Sequence, residues 1–370
     1  MSPLESVRLS SVAEIVQGGR LKLSGNDFVD AGFPAYGAGG LNGYLEVAEF
    51  NRPAIVLSSI GARCGKCFYV EGEWTSLANT QLIFPDLGKV DPKYLWYQLN
   101  DEGSWVRSGT AQPFIKPSNV KSRLVKLPEL AEQRRIAAIL DKADALRVKR
   151  REAIAKLDQL LQSVFLEMFG DPVANPKGWE KTCLSELFEI ARGGSPRPID
   201  DYITDAPDGI NWIMIGDTVE GSKYITGTRR RIKPEGAKRS RAVKPGDFLL
   251  TNSMSFGRPY ILRTSGCIHD GWLVLSPKAA KTNADYVFSV LSSPSLYAEF
   301  ARRAPGATVK NLNIELVSGV EIPVPDLSLQ AEFSRRVAMI ESAQSKQLNA
   351  LVDVDLLFNS VQAQVFSAGM

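Results

Sequence analysis

The sequence predicts an α+β protein of two β-rich domains in tandem, each followed by a long α-helix, with the two helices pairing as an antiparallel coiled coil. Three observations carry that prediction. Between residues 128 and 169, Ile139, Ala143, Leu146, Arg150, Ala153, Leu157, Leu160 and Val164 recur at alternating steps of four and three, which keeps them on one face of a long helix. A second line, Ile340, Ala343, Gln347, Ala350, Val354, Leu357 and Val361, takes the same positions in residues 330–366 when numbers are shifted by 197. The segments ahead of both helices alternate short β-branched and aromatic runs with glycine-rich turns, as strands and their connections do.

No glycine or proline interrupts the first helical run between Glu129 and Phe169, and its other positions are mostly charged or amide side chains, so its outer faces should be wet. At about 1.5 Å per residue the helix spans roughly 50–60 Å. The polar interruption is itself repeated, Arg150 falling on Gln347, and one polar seam residue is a device that fixes coiled-coil register. Only the first position breaks the match, where Ile139 meets Arg336.

Ahead of the first helix, strands are expected at 54–58, 67–70 and 80–84, with turns at 37–43 and 61–65 and a short helix at 94–99. Ahead of the second, strands are expected at 211–215, 247–251, 260–263 and 272–276, with a helix at 286–291. Leu9-Ser-Ser-Val-Ala-Glu-Ile15, ending in Gly18-Gly19, matches Leu184-Ser-Glu-Leu-Phe-Glu-Ile190, ending in Gly193-Gly194, at an offset of 175. Gly109 and Pro128 match Gly306 and Pro325 at 197, so the second domain carries a net insertion of 22 residues. The chain reads as a duplication with segments 1–127, 128–170, 171–324 and 325–370. Antiparallel helices would give it a pseudo-twofold axis and hold two contact surfaces one or more DNA turns apart, a turn being about 34 Å.

With 370 residues, 44% of them hydrophobic, folded cores in two to three domains are expected. The sequence has no signal-like start and no apolar run approaching about 18 residues, which points to the cytoplasm. Lys and Arg total 44 against 41 Asp and Glu, so the overall charge identifies no polyanion binder. Its distribution is more telling: Arg229, Arg230, Arg231, Lys233, Lys238, Arg239, Arg241 and Lys244 face a single acid, Glu235, in the interval that holds the insertion. Such a stretch suits phosphates, the plain alternative being a solvated basic loop.

Leu127-Pro-Glu-Leu-Ala-Glu-Gln-Arg-Arg-Ile-Ala-Ala-Ile-Leu-Asp141, with the helix ending Phe165-Leu-Glu-Met-Phe-Gly170, resembles the central conserved region of specificity (S) subunits of type I restriction-modification systems. Arg192-Gly-Gly-Ser-Pro196, Ile210-Asn-Trp-Ile-Met-Ile-Gly-Asp217 and Gly306-Ala-Thr-Val-Lys-Asn-Leu312 resemble that family's target recognition domains, and Pro325-Asp-Leu-Ser-Leu-Gln330 its C-terminal helix entry. The resemblance covers the whole chain. It implies a non-catalytic reader of a bipartite duplex site, each domain binding one half and the helices setting the unread gap. It also implies partners: two modification subunits methylating adenine with S-adenosylmethionine, and restriction subunits using ATP. No cofactor is expected in this chain, which has no Asn-Pro-Pro-aromatic or Gly-x-x-x-x-Gly-Lys-Ser/Thr motif. A coiled-coil scaffold joining two protein-binding domains, and a specificity subunit of a methylation-only assembly, remain the alternatives.

For base reading the candidates are polar side chains beside glycines: Arg63, Lys66, Gln112 and Lys116 in the first domain, and Ser253, Ser255, Arg258, Lys310 and Asn311 in the second. Arg and Lys suit guanine edges, Asn and Gln adenine edges. Gly18 and Gly19, with Arg20, and Gly193 and Gly194, with Ser195 and Arg197, either make a turn or let backbone approach a phosphate. Arg229, Arg230, Arg231, Lys238, Arg239 and Arg241 are assigned to phosphates. Arg147, Lys149, Arg150 and Arg151 either touch the unread spacer or form a solvated face, and Ile136, Ile154, Leu161, Phe165 and Phe169 either grip the modification subunits or pack internally. Cys64-x-x-Cys67 is read as packed thiols, because a structural zinc site needs a second close pair and Cys183, Cys267 and His269 lie in the other half. His269-Asp270 lacks a Gly-x-Ser-x-Gly turn to supply a nucleophile, so no catalytic residue is expected.

Overall fold

A computed structural model describes residues 6–21, 24, 27–219, 221–252, 255–278, 281–304 and 311–367. It divides into two compact units, Met1–Glu152 with Leu348–Met370, and Ala153–Gln347. The two long helices, Leu130–Phe169 and Leu327–Gln362, thus contribute one portion to each unit.

In the first unit the strands Ala13–Gln17, Thr80–Pro85, Ala54–Ser58 and Cys67–Val70 form an antiparallel sheet in that order. Every residue of Ala54–Ser58 is buried, as a central strand covered on both sides requires. A five-stranded sheet built on Phe33–Gly37, Gly40–Leu45 and Glu73–Ser76 interleaves with it in the chain, and Trp74, Phe50 and Phe84 pack together between the two. The helix Pro92–Leu99 starts where Asp91 accepts the Lys93 and Tyr94 N–H groups, with proline in its first turn.

The second unit repeats this plan. Phe188–Arg192, Trp272–Pro277, Phe248–Thr251, Pro259–Leu262 and Tyr224–Ile225 form one sheet, and Ile203–Thr204, Arg230–Ile232, Ile210–Ile213, Gly266–Ile268 and Arg241–Val243 another. Asn283 caps Ala284–Leu291 as Asp91 caps its counterpart. A further helix, Pro294–Arg303, follows; its signal is Ser293-Pro294, the serine hydroxyl accepting the Leu296 N–H. The basic stretch differs from a loop: it forms two strands, Arg230–Ile232 and Arg241–Val243, around the short helix Pro234–Ala237.

The long helices run antiparallel. In the second unit Asp158 Oδ1 accepts from Gln344 Nε2 at 2.7 Å, and further along Phe165 meets Phe333 with ring centroids 5.7 Å apart, so one index rises as the other falls. In the first unit Arg147 Nε lies 2.6 Å from Asp355 and its guanidinium covers the Phe358 ring at 4.7 Å. The shift of 197 carries Arg147 onto Gln344 and Asp158 onto Asp355, so the same cross-helix contact is made once as an ion pair and once as an amide–carboxylate bond.

The buried line is rotated from the seam counted on apolarity. Ala143 and Ile340 are buried, and Ile139, Arg150, Ala153, Leu157, Val164, Ala343, Gln347, Ala350, Val354 and Val361 are half-buried, but Leu146, Leu160 and Leu357 are 46%, 46% and 54% exposed. Leu140 and Arg147, one residue on from Ile139 and Leu146, take the inner side instead.

Gln133 and Gln330, matched at 197, are fully buried and join helix to domain. Gln133 Oε1 accepts the Asp91 N–H at 2.9 Å while its Nε2 donates to Pro128 O at 2.8 Å; Gln330 does the same with Asn283 and Pro325, both at 2.7 Å. Replacing Gln330 with leucine leaves the part-buried Asn283 N–H and the buried Pro325 carbonyl unpaired and should cost about 2–4 kcal/mol. A lowered urea midpoint for the second unit checks it, and an unchanged midpoint rejects it.

Candidate nucleic-acid interface

One edge of each main sheet is assembled from four turns. In the first unit Gly18 donates its N–H to Thr80 O at 3.1 Å, and a Cβ there would lie 2.2 Å from Thr80 Oγ1; Gly19, at φ +70°, presses on Ala78. Ser59 N donates to Asn79 O at 2.9 Å, Ile115 N to Ser59 O at 2.9 Å and Gly61 N to Pro113 O at 3.0 Å. These bonds bring Arg20, Asn79, Arg63, Gln112 and Lys116 to one surface, all exposed, whereas Lys66 is half-buried and lines a concavity with Tyr97, Asn100 and Gln362. Asn79 was not among the sequence candidates; its signal is a non-glycine residue at φ +65° on the turn facing Gly19.

The second unit makes the same edge with different side chains. Gly193 N donates to Trp272 O at 2.9 Å, Gly194 N to Ile268 O at 3.1 Å, Asn252 N to Gly271 O at 3.0 Å and Leu312 N to Asn252 O at 2.8 Å, Leu312 being Ile115 shifted by 197. Arg197, Ser255, Arg258 and Asn311 are exposed along it, whereas Ser253 and Lys310 lie outside the described residues. All four glycine N–H groups are spent inside the domains, Gly19 donating to Ser76 Oγ at 3.1 Å. The pairs therefore serve close packing, a Cβ at Gly193 falling 2.0 Å from His269 O, and a phosphate here would meet side chains.

Asp270 organises the second edge. Its carboxylate accepts from Ser195 Oγ at 2.8 Å and pairs with Arg197 at 3.3 Å, and its carbonyl accepts from Arg192 Nε at 3.0 Å and Asn252 Nδ2 at 2.8 Å. The Ser195 bond, foremost, holds the carboxyl below its usual range. Because the serine hydroxyl meets a carboxylate and not the imidazole, no activated nucleophile results. His269 is largely buried, with Nδ1 accepting the Gly271 N–H at 2.8 Å and the Ile215 N–H facing Nε2 at 3.3 Å.

Burial pushes the His269 pKa down, and two backbone donors facing its nitrogens oppose a second ring proton, so folding favours the neutral ring. The unfolded chain then binds the extra proton, and stability present above about pH 6.5 is lost as pH falls through the lower folded value. As this is the sequence's sole histidine, His269→Gln should remove any such slope between about pH 5.5 and 7.5 in urea unfolding of the second unit. Equal slopes for the two proteins would refute the coupling.

Arg229, Arg230, Arg231, Lys238, Arg239 and Arg241 are all exposed. Strand alternation sets Arg230 with the buried Ile232 on one face and turns Arg231 to the other. The turn bearing Lys238 and Arg239 lies against Gly194, where a Cβ would fall 3.2 Å from Arg239 O, and this adds positive charge beside Ser195 and Arg197. Cys64, Cys67 and Cys267 are buried free thiols; burial pushes that of Cys67 up to about 12. No helix among the described residues is long and apolar enough to cross a membrane.

The family profile described as type I restriction modification DNA specificity domain matches residues 1–157 and 176–352. The chain is 24% identical over 314 residues to the type I restriction enzyme EcoBI specificity subunit of Escherichia coli, covering 75% of this chain and 65% of that protein. It is 23% identical over 324 residues to the type I restriction enzyme MjaVIII specificity subunit of Methanocaldococcus jannaschii, covering 79% and 73%. It thus spans just under two thirds of the E. coli protein's length. The crystal structure of a type I restriction-modification S subunit from M. genitalium superposes with a TM-score of 0.67 at 14% identity, over 100% of this chain and 98% of that one.

Proposed function

The chain belongs to the type I restriction modification DNA specificity family, and from that membership we propose that it is the non-catalytic subunit that reads a bipartite duplex site. Residues 1–127 and 171–324 are the two reading domains, and 128–170 and 325–370 set the number of unread base pairs between their half-sites. The observation that carries this reading is the pair of matching edges, built by the same backbone bonds yet lined by different Arg, Lys, Asn, Gln and Ser side chains. A constant frame with variable donors is what two different half-sites require. Adenine methylation with S-adenosylmethionine, and cleavage with ATP, belong to modification and restriction subunits that this cytoplasmic chain directs to the site.

The test is co-expression with a modification subunit, followed by mapping of N6-methyladenine over host DNA. A split motif with an unread central gap is expected. If the two proteins co-purify and no new methylation arises, a scaffold joining two protein-binding domains becomes the better reading. Duplex binding whose affinity falls steeply with salt supports the reader, since counterion release has no counterpart in a scaffold.

A further inference from the structure

A concavity of 1020 Å³ opens beside the second unit's edge. Its walls are Pro198, Ile199, Trp212 and Met214, with Arg197 and Arg230 at the rim. The walls come from two places in the sequence: the loop leaving Gly193-Gly194, and the strand Ile210–Ile213 with the residue after it. Trp212 is the buried floor, Ile199 and Met214 are half-buried, and Pro198 is exposed. Arg230 is the cross-strand neighbour of Trp212, and Arg197 is 82% exposed.

Resting on the reading that the second domain contacts duplex DNA, we propose that this concavity reads a thymine through its C5-methyl group. Base edges in the major groove show many donors and acceptors but one purely apolar group, that methyl, and an apolar wall between two cations is its natural complement. The rim arginines then fall on the flanking backbone. An apolar protein side chain would suit the walls as well, but the charge around them favours a polyanion. Of the nearby acids, Asp217 accepts the Met214 and Arg229 N–H groups and Asp270 holds Ser195 and Arg197; against these and the exposed Asp200 and Asp201 beside Ile199 stand the exposed Arg197, Arg229, Arg230, Arg231 and Arg239, and Arg230 makes no ion pair among the described residues.

The experiment measures binding of the complex with its modification subunits to duplexes carrying the mapped site, with each thymine in turn replaced by deoxyuridine. One position, confined to one half-site, should lose about fourfold in affinity, the worth of one buried methyl. Met214→Ala should erase that difference while leaving every position of the other half-site unchanged, and Ile199→Ala provides the same reading should the first variant fold poorly. The proposal is overturned if uracil is tolerated everywhere, if the difference survives both substitutions, or if they weaken co-purification of a protein partner and leave the thymine preference intact. Absence of any duplex binding would instead sink the specificity reading beneath it.

Discussion

Phe169→Ala should lower the stability of the second unit by about 3–5 kcal/mol. Phe169 ends the first long helix with its ring 1% exposed, among Tyr286 at 4.8 Å, Phe333 at 5.3 Å and Phe165 at 5.4 Å between centroids. Truncation removes the transfer energy of the ring, three aromatic contacts and the filling of a site that packed backbone cannot close. Its carbonyl also accepts from Trp179 Nε1 at 3.0 Å, so relaxation there would break a hydrogen bond. Against a typical stability of about 5–15 kcal/mol this is a large fraction. Urea unfolding followed by tryptophan fluorescence measures it; a loss below about 1 kcal/mol would mean that the aromatic cluster repacks. Phe366, matched at 197, meets Tyr94 at 5.5 Å in the first unit but is only half-buried, and its truncation should cost less.

Replacing Arg229, Arg230 and Arg231 together with alanine should weaken binding to cognate and non-cognate duplexes alike, by roughly 10- to 100-fold near 0.1 M salt. A phosphate contact contributes about 0.9 to the slope of log affinity against log salt concentration. Because the strand turns Arg230 and Arg231 to opposite faces, the three do not share one stretch of backbone, and the slope should fall by about 1–2 units and not by three contacts' worth. An unchanged slope would remove these residues from the phosphate-binding set. By contrast, Gln112→Ala at the first edge should cost about 1–3 kcal/mol on the cognate site alone, with the slope intact.

The long helices were legible as helices because the three–four spacing survives along their whole length, and their inward face was legible only in part, twelve of the fifteen seam residues being buried or half-buried while Leu146, Leu160 and Leu357 are exposed. The contacts that cross between them include Arg147 with Asp355 and Gln344 with Asp158, and polar pairs facing inward defeat a phase assigned by apolarity. The duplication showed in the offsets of 175 and 197, through the matches of Gly109 to Gly306 and Pro128 to Pro325. The surface those offsets build did not show, since it rests on backbone bonds such as Ile115 N to Ser59 O, between turns that no periodicity connects. Asp270 was visible only as the neighbour of His269, because its partners Ser195 and Asn252 are distant in the sequence.

The mutual completion of the two units has a consequence for biosynthesis. Tyr97 packs on Phe358 and Tyr94 on Phe366, so the first unit closes its core with a helix made long after its own strands have left the ribosome. The second unit has Phe165 and Phe169 in hand before its strands emerge. Both units need the last helix, the second closing on Phe333 and the first on Phe358 and Phe366, so the earlier-made half should be the last to be sealed.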